Sequence, residues 1–133
     1  MTKINEWLTA RIEESGKSRA RIARETGTDI QNIERWASGK YEPSGFFLDV
    51  LLNYFGYEIC IDGEPYGLDE LGRYTEEQKK KSGICRQEVS TKIGEYKNFI
   101  QNMVYRCDLV RLSKFEEVVN GYGGKVTIER KKK

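Results

Sequence analysis

The chain has 133 residues, of which 38% are hydrophobic and 33% are charged, and its net charge is +2. A chain of this length forms one ordinary domain or two very small ones, and so polar a composition is typical of small helical modules. No segment approaches the roughly 20 apolar residues that span a bilayer, and no signal-peptide core follows Met1. We therefore expect a cytoplasmic protein that does not enter a membrane.

The residues that usually carry catalysis or bind metals are scarce. The chain has no histidine, which is the commonest general base, and no glycine-rich phosphate loop or GxSxG motif. Cys60, Cys85 and Cys107 lie far apart, whereas a zinc site needs four ligands at recognisable spacing and a disulfide framework needs more cysteines. We expect three buried or half-buried thiols, no enzyme activity, no catalytic residues, no metal and no cofactor.

Charge is distributed unevenly along the chain. Residues 1–66 have 8 basic and 11 acidic side chains, a net charge of −3, whereas residues 68–133 have 15 basic and 10 acidic ones, a net charge of +5. Much of the basic excess lies in Lys79–Lys81 and in Arg130–Lys133. Such runs are either a solvated helix end and a disordered tail, or a surface that attracts phosphate.

Two helices are predicted in the first 27 residues. Apolar residues recur at helical spacing from Ile4 to Ile12, which predicts a helix that ends near Ser15. Ser18 is a suitable N-cap for a second, short helix, and Gly27 ends it. The exposed start of this second helix, with its free amides and positive dipole, is a place where a backbone phosphate could bind.

A third helix, Ile30–Ala37, is predicted between the N-cap Asp29 and Gly39, and a fourth runs from Ser44 to Phe55. The third helix has an apolar face and a polar one. Glutamine and asparagine at the start of an exposed helix can pair with base edges, notably with adenine. The polar face consists of Gln31, Asn32, Glu34 and Arg35.

In these residues the chain resembles the Cro/lambda-repressor family of helix-turn-helix regulators. The match runs from about Ile4 to Phe55, and it is most specific in SRARIARETG, at the inward Ile33, and in ERWASGKYEPS. The resemblance implies that Ile30–Ala37 is a recognition helix that lies in the major groove of DNA.

The chain also departs from that family. Arg19 stands where the family often has glutamine. Glu25, Glu34 and the net charge of −3 make this half a poor electrostatic attractant for DNA. A helix-turn-helix that binds a protein is therefore a second interpretation.

A second copy of the pattern follows 67 residues later. LLNYFGYEICI (51–61) aligns without a gap over VVNGYGGKVTI (118–128), and SGKSRARIARETG (15–27) over SGICRQEVSTKIG (82–94). The residues that coincide sit at capping and inward positions, which favours an internal repeat. The aligned pairs include Ser15 and Ser82, Gly16 and Gly83, Arg19 and Arg86, Ile22 and Val89, Ala23 and Ser90, Gly27 and Gly94, Ile33 and Ile100, and Gly56 and Gly123.

The repeat predicts two tandem units in a mainly all-α fold: residues 1–66, residues 67–129, and a basic tail at 130–133. The second unit would contain helices Leu68–Ser82, Arg86–Ile93, Glu95–Arg106 and Leu112–Tyr122. ASGKYEPS has no counterpart in this half, so a plain helical dimerisation domain is the alternative.

Each unit ends in an alternating stretch that predicts a short strand, Tyr57–Ile61 and Lys125–Ile128. A lone strand leaves its backbone groups unpaired, so we expect the two to form a small antiparallel ribbon about a pseudo-twofold axis. One chain would then imitate a repressor dimer on an imperfect palindrome. A conventional homodimer is the other possible assembly.

These patterns predict a sequence-specific, double-stranded DNA-binding transcriptional regulator, repressor-like and of bacterial or phage origin. It would read the major groove with Ile30–Ala37 and with a second helix, Tyr96–Arg106. The residues expected to contact DNA are Ser18, Arg19, Gln31, Asn32, Arg35, Lys40, Arg86, Gln87, Lys97, Asn98 and Gln101.

The second hypothesis is a protein-binding module on the same fold, such as an antitoxin or a phage inhibitor of a host nuclease. Its interface would be an acidic face of the first unit, formed by Glu13, Glu14, Glu25 and Glu34.

Overall fold

The computed structural model describes residues 4–106 and 110–131, and in these ranges the fold is mainly helical, as predicted. None of the described helices has the length and apolar character needed to cross a bilayer. In chain order the elements are α1 (Ile4–Ser15), α2 (Arg19–Thr26), α3 (Ile30–Ser38), α4 (Gly45–Phe55), β1 (Tyr57–Ile61), β2 (Glu64–Pro65), a 3-10 helix (Leu68–Glu70), α5 (Leu71–Ser82), α6 (Arg86–Lys92), α7 (Phe99–Tyr105), α8 (Leu112–Gly121) and β3 (Val126–Arg130).

Helices α1 to α4 surround a small apolar core of their own. Its members are the inward side chains of the amphipathic helices, and Trp7 packs at its edge. Ala23 on α2 is small enough to let α3 approach, and Ile33 on α3 is fully buried. The buried members are Leu8, Ile12, Ile22, Ala23, Ile33, Trp36, Ala37 and Leu51.

A larger core joins the two halves of the chain. It combines residues of α1, α4 and β1, such as Ile4, Leu48 and Ile59, with the inward residues of α5 to α8 and β3. Phe115 on α8 is 0% exposed and is among the largest fully buried side chains. Because one continuous core includes both halves, neither half buries its apolar surface alone.

The three strands form one antiparallel sheet in the order β2-β1-β3. The predicted pairing of β1 with β3 is confirmed, and its register places Cys60 opposite Thr127. The strand β2 was not predicted, although Asp62 and Gly63 have the positive φ values, 51° and 85°, that a tight hairpin turn needs. Pro65 is tolerated because β2 lies at an edge of the sheet.

The strand register agrees with the 67-residue shift. That shift relates Cys60 to Thr127, and these two residues are cross-strand partners. A twofold axis between them exchanges the pair Ile59–Ile128 with the pair Ile61–Val126. Three pairs of left-handed glycines are also related by the shift, with φ of 67° and 72° at 16 and 83, 73° and 83° at 27 and 94, and 79° and 89° at 56 and 123.

Several predicted boundaries differ from the structure. The third helix of the second half, predicted over Glu95–Arg106, covers only Phe99–Tyr105. In the first half the Asp29 carboxylate caps α3 by accepting from the Gln31 amide, but the residue related to Asp29 is Tyr96, which has no carboxylate for this purpose. Helices α6 and α8 each end one residue earlier than predicted.

The predicted basic tail, 130–133, is wrong in its first residue, which belongs to β3. Strand β3 runs to Arg130, whose Nε donates to the Tyr57 hydroxyl at 3.1 Å. Lys131 donates through Nζ to the Asn53 side chain. Lys132, Lys133 and Cys107 lie outside the described residues. Of the other thiols, Cys60 is buried and Cys85 is half-buried, as expected.

Candidate nucleic-acid interface

Helices α2 and α3 pack against each other and are joined by a short turn. The Ser18 hydroxyl accepts from the Arg21 amide at 3.1 Å and so caps α2. The left-handed Gly27 ends α2, and the backbone amide of the next residue, Thr28, donates to the Ala23 carbonyl. With both ends fixed by hydrogen bonds, the exposed side of α3 has a defined position relative to the start of α2.

An open cleft of about 380 Å³ lies between the start of α2 and the exposed side of α3. It brings together three of the predicted residues, Arg19, Gln31 and Arg35, with Glu34 and Ser38. The side chains of Arg19, Gln31 and Arg35 form no hydrogen bond or ion pair with another described residue, and all three are exposed. Their donors and acceptors are therefore available to an external partner.

The other predicted residues of the first half lie outside this cleft. Ser18 is exposed, but its hydroxyl is used as the N-cap of α2. Asn32 is half-buried, and its amide points to the Thr28 hydroxyl at 3.5 Å. Lys40 follows the end of α3, where its ammonium lies 6.0 Å from the centre of the Tyr41 ring.

A polar cluster attaches α2 to α4. The Tyr54 hydroxyl donates to the Glu25 carboxylate, which also accepts from Lys17 and from Arg21 at 3.3 Å each. The hydrogen bond from Tyr54, followed by that from Arg21, lowers the pKa of Glu25 to about 2. Hydrogen bonds with Tyr54 and then with the same carboxylate raise the pKa of Lys17. Glu25 is thus neutralised within the first half and supports the position of α2.

Helices α6 and α7 also contact each other, and Arg86 has a different environment from Arg19. Its guanidinium donates to Gln101 Oε1 at 2.6 Å, to Thr75 Oγ1 at 2.9 Å and to the Gly72 carbonyl at 3.4 Å. Glu76 lies 3.6 Å away, and only 20% of the Arg86 side chain is exposed. Arg86, on α6, therefore connects this helix to α5 and α7 through hydrogen bonds in the interior of the second half.

The difference between the two arginines follows from their neighbours. Under the 67-residue shift Thr75 corresponds to Leu8, which is fully buried and apolar and offers no acceptor. Thr75 supplies a hydroxyl, and Gly72 has no side chain in the space between Val104 and the guanidinium. Comparison of Leu8 with Thr75 in the sequence could have revealed the inward position of Arg86.

The polar residues of α7 are mostly engaged within the chain. Besides accepting from Arg86, Gln101 donates through Nε2 to the Tyr105 hydroxyl at 3.3 Å. Asn102 donates through Nδ2 to the Tyr96 hydroxyl at 3.0 Å. The remaining predicted residues, Gln87, Lys97 and Asn98, are exposed, and no side-chain hydrogen bond to another described residue involves them.

A second cleft, of about 370 Å³, is lined by Arg86, Gln87, Asn98 and Gln101 together with parts of α5. Three of its lining residues, Arg86, Asn98 and Gln101, correspond under the 67-residue shift to Arg19, Gln31 and Glu34, which line the α2–α3 cleft. All but one of the predicted residues of the second half meet here; Lys97 does not line the cleft.

In the described ranges no three histidine, cysteine or acidic residues form a group that could hold a metal ion. Comparison of the chain with protein-family models, with curated proteins and with solved structures found no match.

Proposed function

We propose that this protein is a sequence-specific, double-stranded DNA-binding regulator built from two helix-turn-helix units. The observation that carries the proposal is the α2–α3 cleft, in which the side chains of Arg19, Gln31 and Arg35 are exposed and have no partner among the described residues. An exposed helix with such side chains, preceded by a capped short helix, fits the major groove.

Each group in the cleft has a specific role in this proposal. The guanidinium of Arg35 suits the O6 and N7 acceptors of guanine, and the Gln31 amide suits the N6 and N7 positions of adenine. Arg19 and the free amides at the start of α2 are suited to a backbone phosphate, which orients the protein without selecting a sequence.

The tandem arrangement rests on the agreement between sequence shift and backbone. The β1–β3 register, the three pairs of related glycines and the lining residues of the two clefts all follow the same 67-residue shift. A pseudo-twofold chain of this kind would present two helices to neighbouring turns of the major groove on an imperfect palindrome.

The alternative, a protein-binding module, has less support. Two of the four residues of its acidic face are neutralised within the chain: Glu14 pairs with Arg11 at 3.0 Å, and Glu25 with Lys17 and Arg21. Glu13 and Glu34 remain exposed. DNA binding makes use of more of the unpaired polar groups.

Selection from a random duplex library with purified full-length protein tests the proposal. We expect an enriched sequence, and we expect Arg35→Ala and Gln31→Ala to weaken binding to it by about 5- to 150-fold each, the usual cost of one base contact. Lys125→Ala, an exposed residue beside the sheet, removes one positive charge as the control. If both cleft variants bind the selected site as tightly as the wild type, the assignment is wrong.

A further inference from the structure

We propose that the two units contact DNA in different ways: α3 selects bases, whereas the second unit mainly binds the phosphate backbone. The target would then have one conserved half-site and one half-site of relaxed sequence. This inference rests on the proposed DNA binding and specifies the kind of site that the protein recognises.

The first argument is the state of the polar side chains on the two helices. Under the 67-residue shift Glu34 and Arg35 of α3 correspond to Gln101 and Asn102 of α7. The pair on α3 is exposed and forms no described side-chain hydrogen bond. The pair on α7 bonds to Arg86, Tyr105 and Tyr96.

These hydrogen bonds occupy the groups that a base contact would need. A glutamine that recognises adenine uses its oxygen and its nitrogen together. In Gln101 the oxygen accepts from Arg86 at 2.6 Å, and the nitrogen donates to Tyr105 at 3.3 Å. A base could replace both partners only if the buried guanidinium of Arg86 lost an acceptor, which is unfavourable.

The second argument is the change in residue type at the related positions. Arginine to guanine is the commonest specific contact in the major groove, and α7 has Asn102 where α3 has Arg35. Tyr96 and Tyr105, which are 57% and 77% exposed, replace the small polar residues Asp29 and Ser38. The surface of α7 is therefore bulkier than that of α3 and has fewer free groups.

The groups that remain free in the second unit suit the backbone. Lys97 is an exposed ammonium, a point charge that binds phosphate without reading sequence. Asn98, which corresponds to Gln31, is the one residue at the start of α7 with a free amide and could prefer adenine at a single position. The second unit would thus increase affinity much more than specificity.

A set of duplexes derived from the selected sequence tests this inference. We expect scrambling of the relaxed half to change the dissociation constant by less than about threefold. Removal of that half, so that the duplex ends early, should weaken binding by about tenfold or more, because phosphate contacts are lost. Scrambling of the conserved half should weaken binding by at least about 100-fold, since each mismatch costs about 5- to 150-fold.

Variants at matched positions separate the two units. Arg35→Ala should relax the sequence preference at one base pair, whereas Asn102→Ala at the corresponding position should leave every preference unchanged. Lys97→Ala should weaken all duplexes equally and reduce the slope of log affinity against log salt by about 0.9. Far-ultraviolet circular dichroism confirms that each variant is folded, because both halves of the chain contain helices.

The outcomes distinguish this inference from the function on which it rests. Two equally conserved half-sites, or an altered base preference in Asn102→Ala, would overturn the unequal division of roles. So would a shortened duplex that binds as tightly as the full one, because the second unit would then not contact DNA. Failure to bind any duplex would instead refute the proposed function.

Discussion

Arg19 and Arg86 show how the same residue type at related positions acquires two roles. Arg19 has no described partner, whereas Arg86 is surrounded by the acceptors of Thr75, Gln101 and Gly72. The threonine hydroxyl at 75 decides which way the guanidinium turns, since the related Leu8 cannot accept a hydrogen bond.

We expect Arg86→Ala to lower the free energy of unfolding by about 1.5–3 kcal/mol, because hydrogen bonds of a largely buried charged group are lost. Arg19→Ala, the matched control, should change it by less than about 0.5 kcal/mol. Urea unfolding followed by circular dichroism measures both values. Equal effects of the two substitutions would contradict the assignment of Arg86 to the interior.

Glu25 predicts a specific dependence of stability on acid. Its folded-state pKa is about 2, below the ordinary 4.5, because Tyr54 and then Arg21 donate to the carboxylate. The stabilisation is therefore complete above about pH 4.5 and is lost as the pH falls towards 2. Thermal unfolding should show Glu25→Gln less stable than the wild type at pH 7, with the two curves converging near pH 2.

The exposed Glu13 provides the control for this measurement, because no side-chain hydrogen bond to another described residue involves it. Glu13→Gln should follow the wild-type profile over the whole range. If Glu25→Gln and the wild type differ by the same amount at pH 7 and pH 2, the carboxylate does not supply the effect.

At the scale of elements, close packing of helices determines how the second half is built. Gly121 at the end of α8 lies against α6, and a Cβ placed there would meet Val89 Cγ1 at 2.7 Å and Ile93 Cγ2 at 3.0 Å. Val89 is itself 1% exposed and has a stiff side chain, so it has little space to move. The missing side chain allows the two helices to touch.

We expect Gly121→Ala to destabilise the protein by about 1–3 kcal/mol through overpacking. At an exposed helical position the same change would stabilise the protein by up to about 1 kcal/mol. The sign of the measured change therefore distinguishes a close contact between α6 and α8 from an exposed position. Asn120→Ala, on the exposed side of the same helix, is the control. Chemical denaturation at neutral pH measures both, and a stabilised Gly121→Ala would show that α6 and α8 are not in contact there.

Sequence patterns predicted some elements better than others for physical reasons. Strand β1 was predicted at its observed bounds because alternation and Gly56 mark both the strand and its start. The start of α7 was placed too early because a capping carboxylate is absent at Tyr96. Strand β2 was not predicted although Asp62-Gly63 is typical of a hairpin turn. The strand has only two residues, which is too short for an alternating pattern.

The candidate site was predicted at the level of residue type but not of orientation. Exposure of Arg19, Gln31 and Arg35 follows from the helical period of α2 and α3. The engagement of Arg86 and Gln101 depends on Gly72, Thr75 and Tyr105, which lie on other turns and helices. Such contacts across the fold are not visible in a local pattern.

At the scale of the whole molecule, the shared core links the stability of the two halves. Trp7 and Trp36 both lie in the first half, so tryptophan fluorescence reports on that half alone. Phe115, in the second half, belongs to the core that also contains Ile4 and Leu48. The two halves should therefore unfold together.

We expect Phe115→Ala to lower stability by about 3–5 kcal/mol. The fluorescence transition in urea should shift by the same amount as the circular dichroism transition, although no tryptophan lies in the mutated half. Ile22→Ala, in the separate core of the first half, serves as a comparison that perturbs the tryptophans' own surroundings. A fluorescence transition that stays in place in Phe115→Ala would show that the halves unfold independently.

Pairing of β1 with β3 takes place within a single chain, so the pairing does not depend on protein concentration. Two segments of one chain meet at an effective concentration set by the chain itself, whatever the amount of protein present. A repressor made of two separate chains must first assemble, so its occupancy of DNA falls more steeply than its concentration when copies are few. For the DNA binding proposed here, occupancy of the site would instead fall in proportion to the protein concentration. Each molecule would therefore contribute equally to occupancy whether copies are few or many.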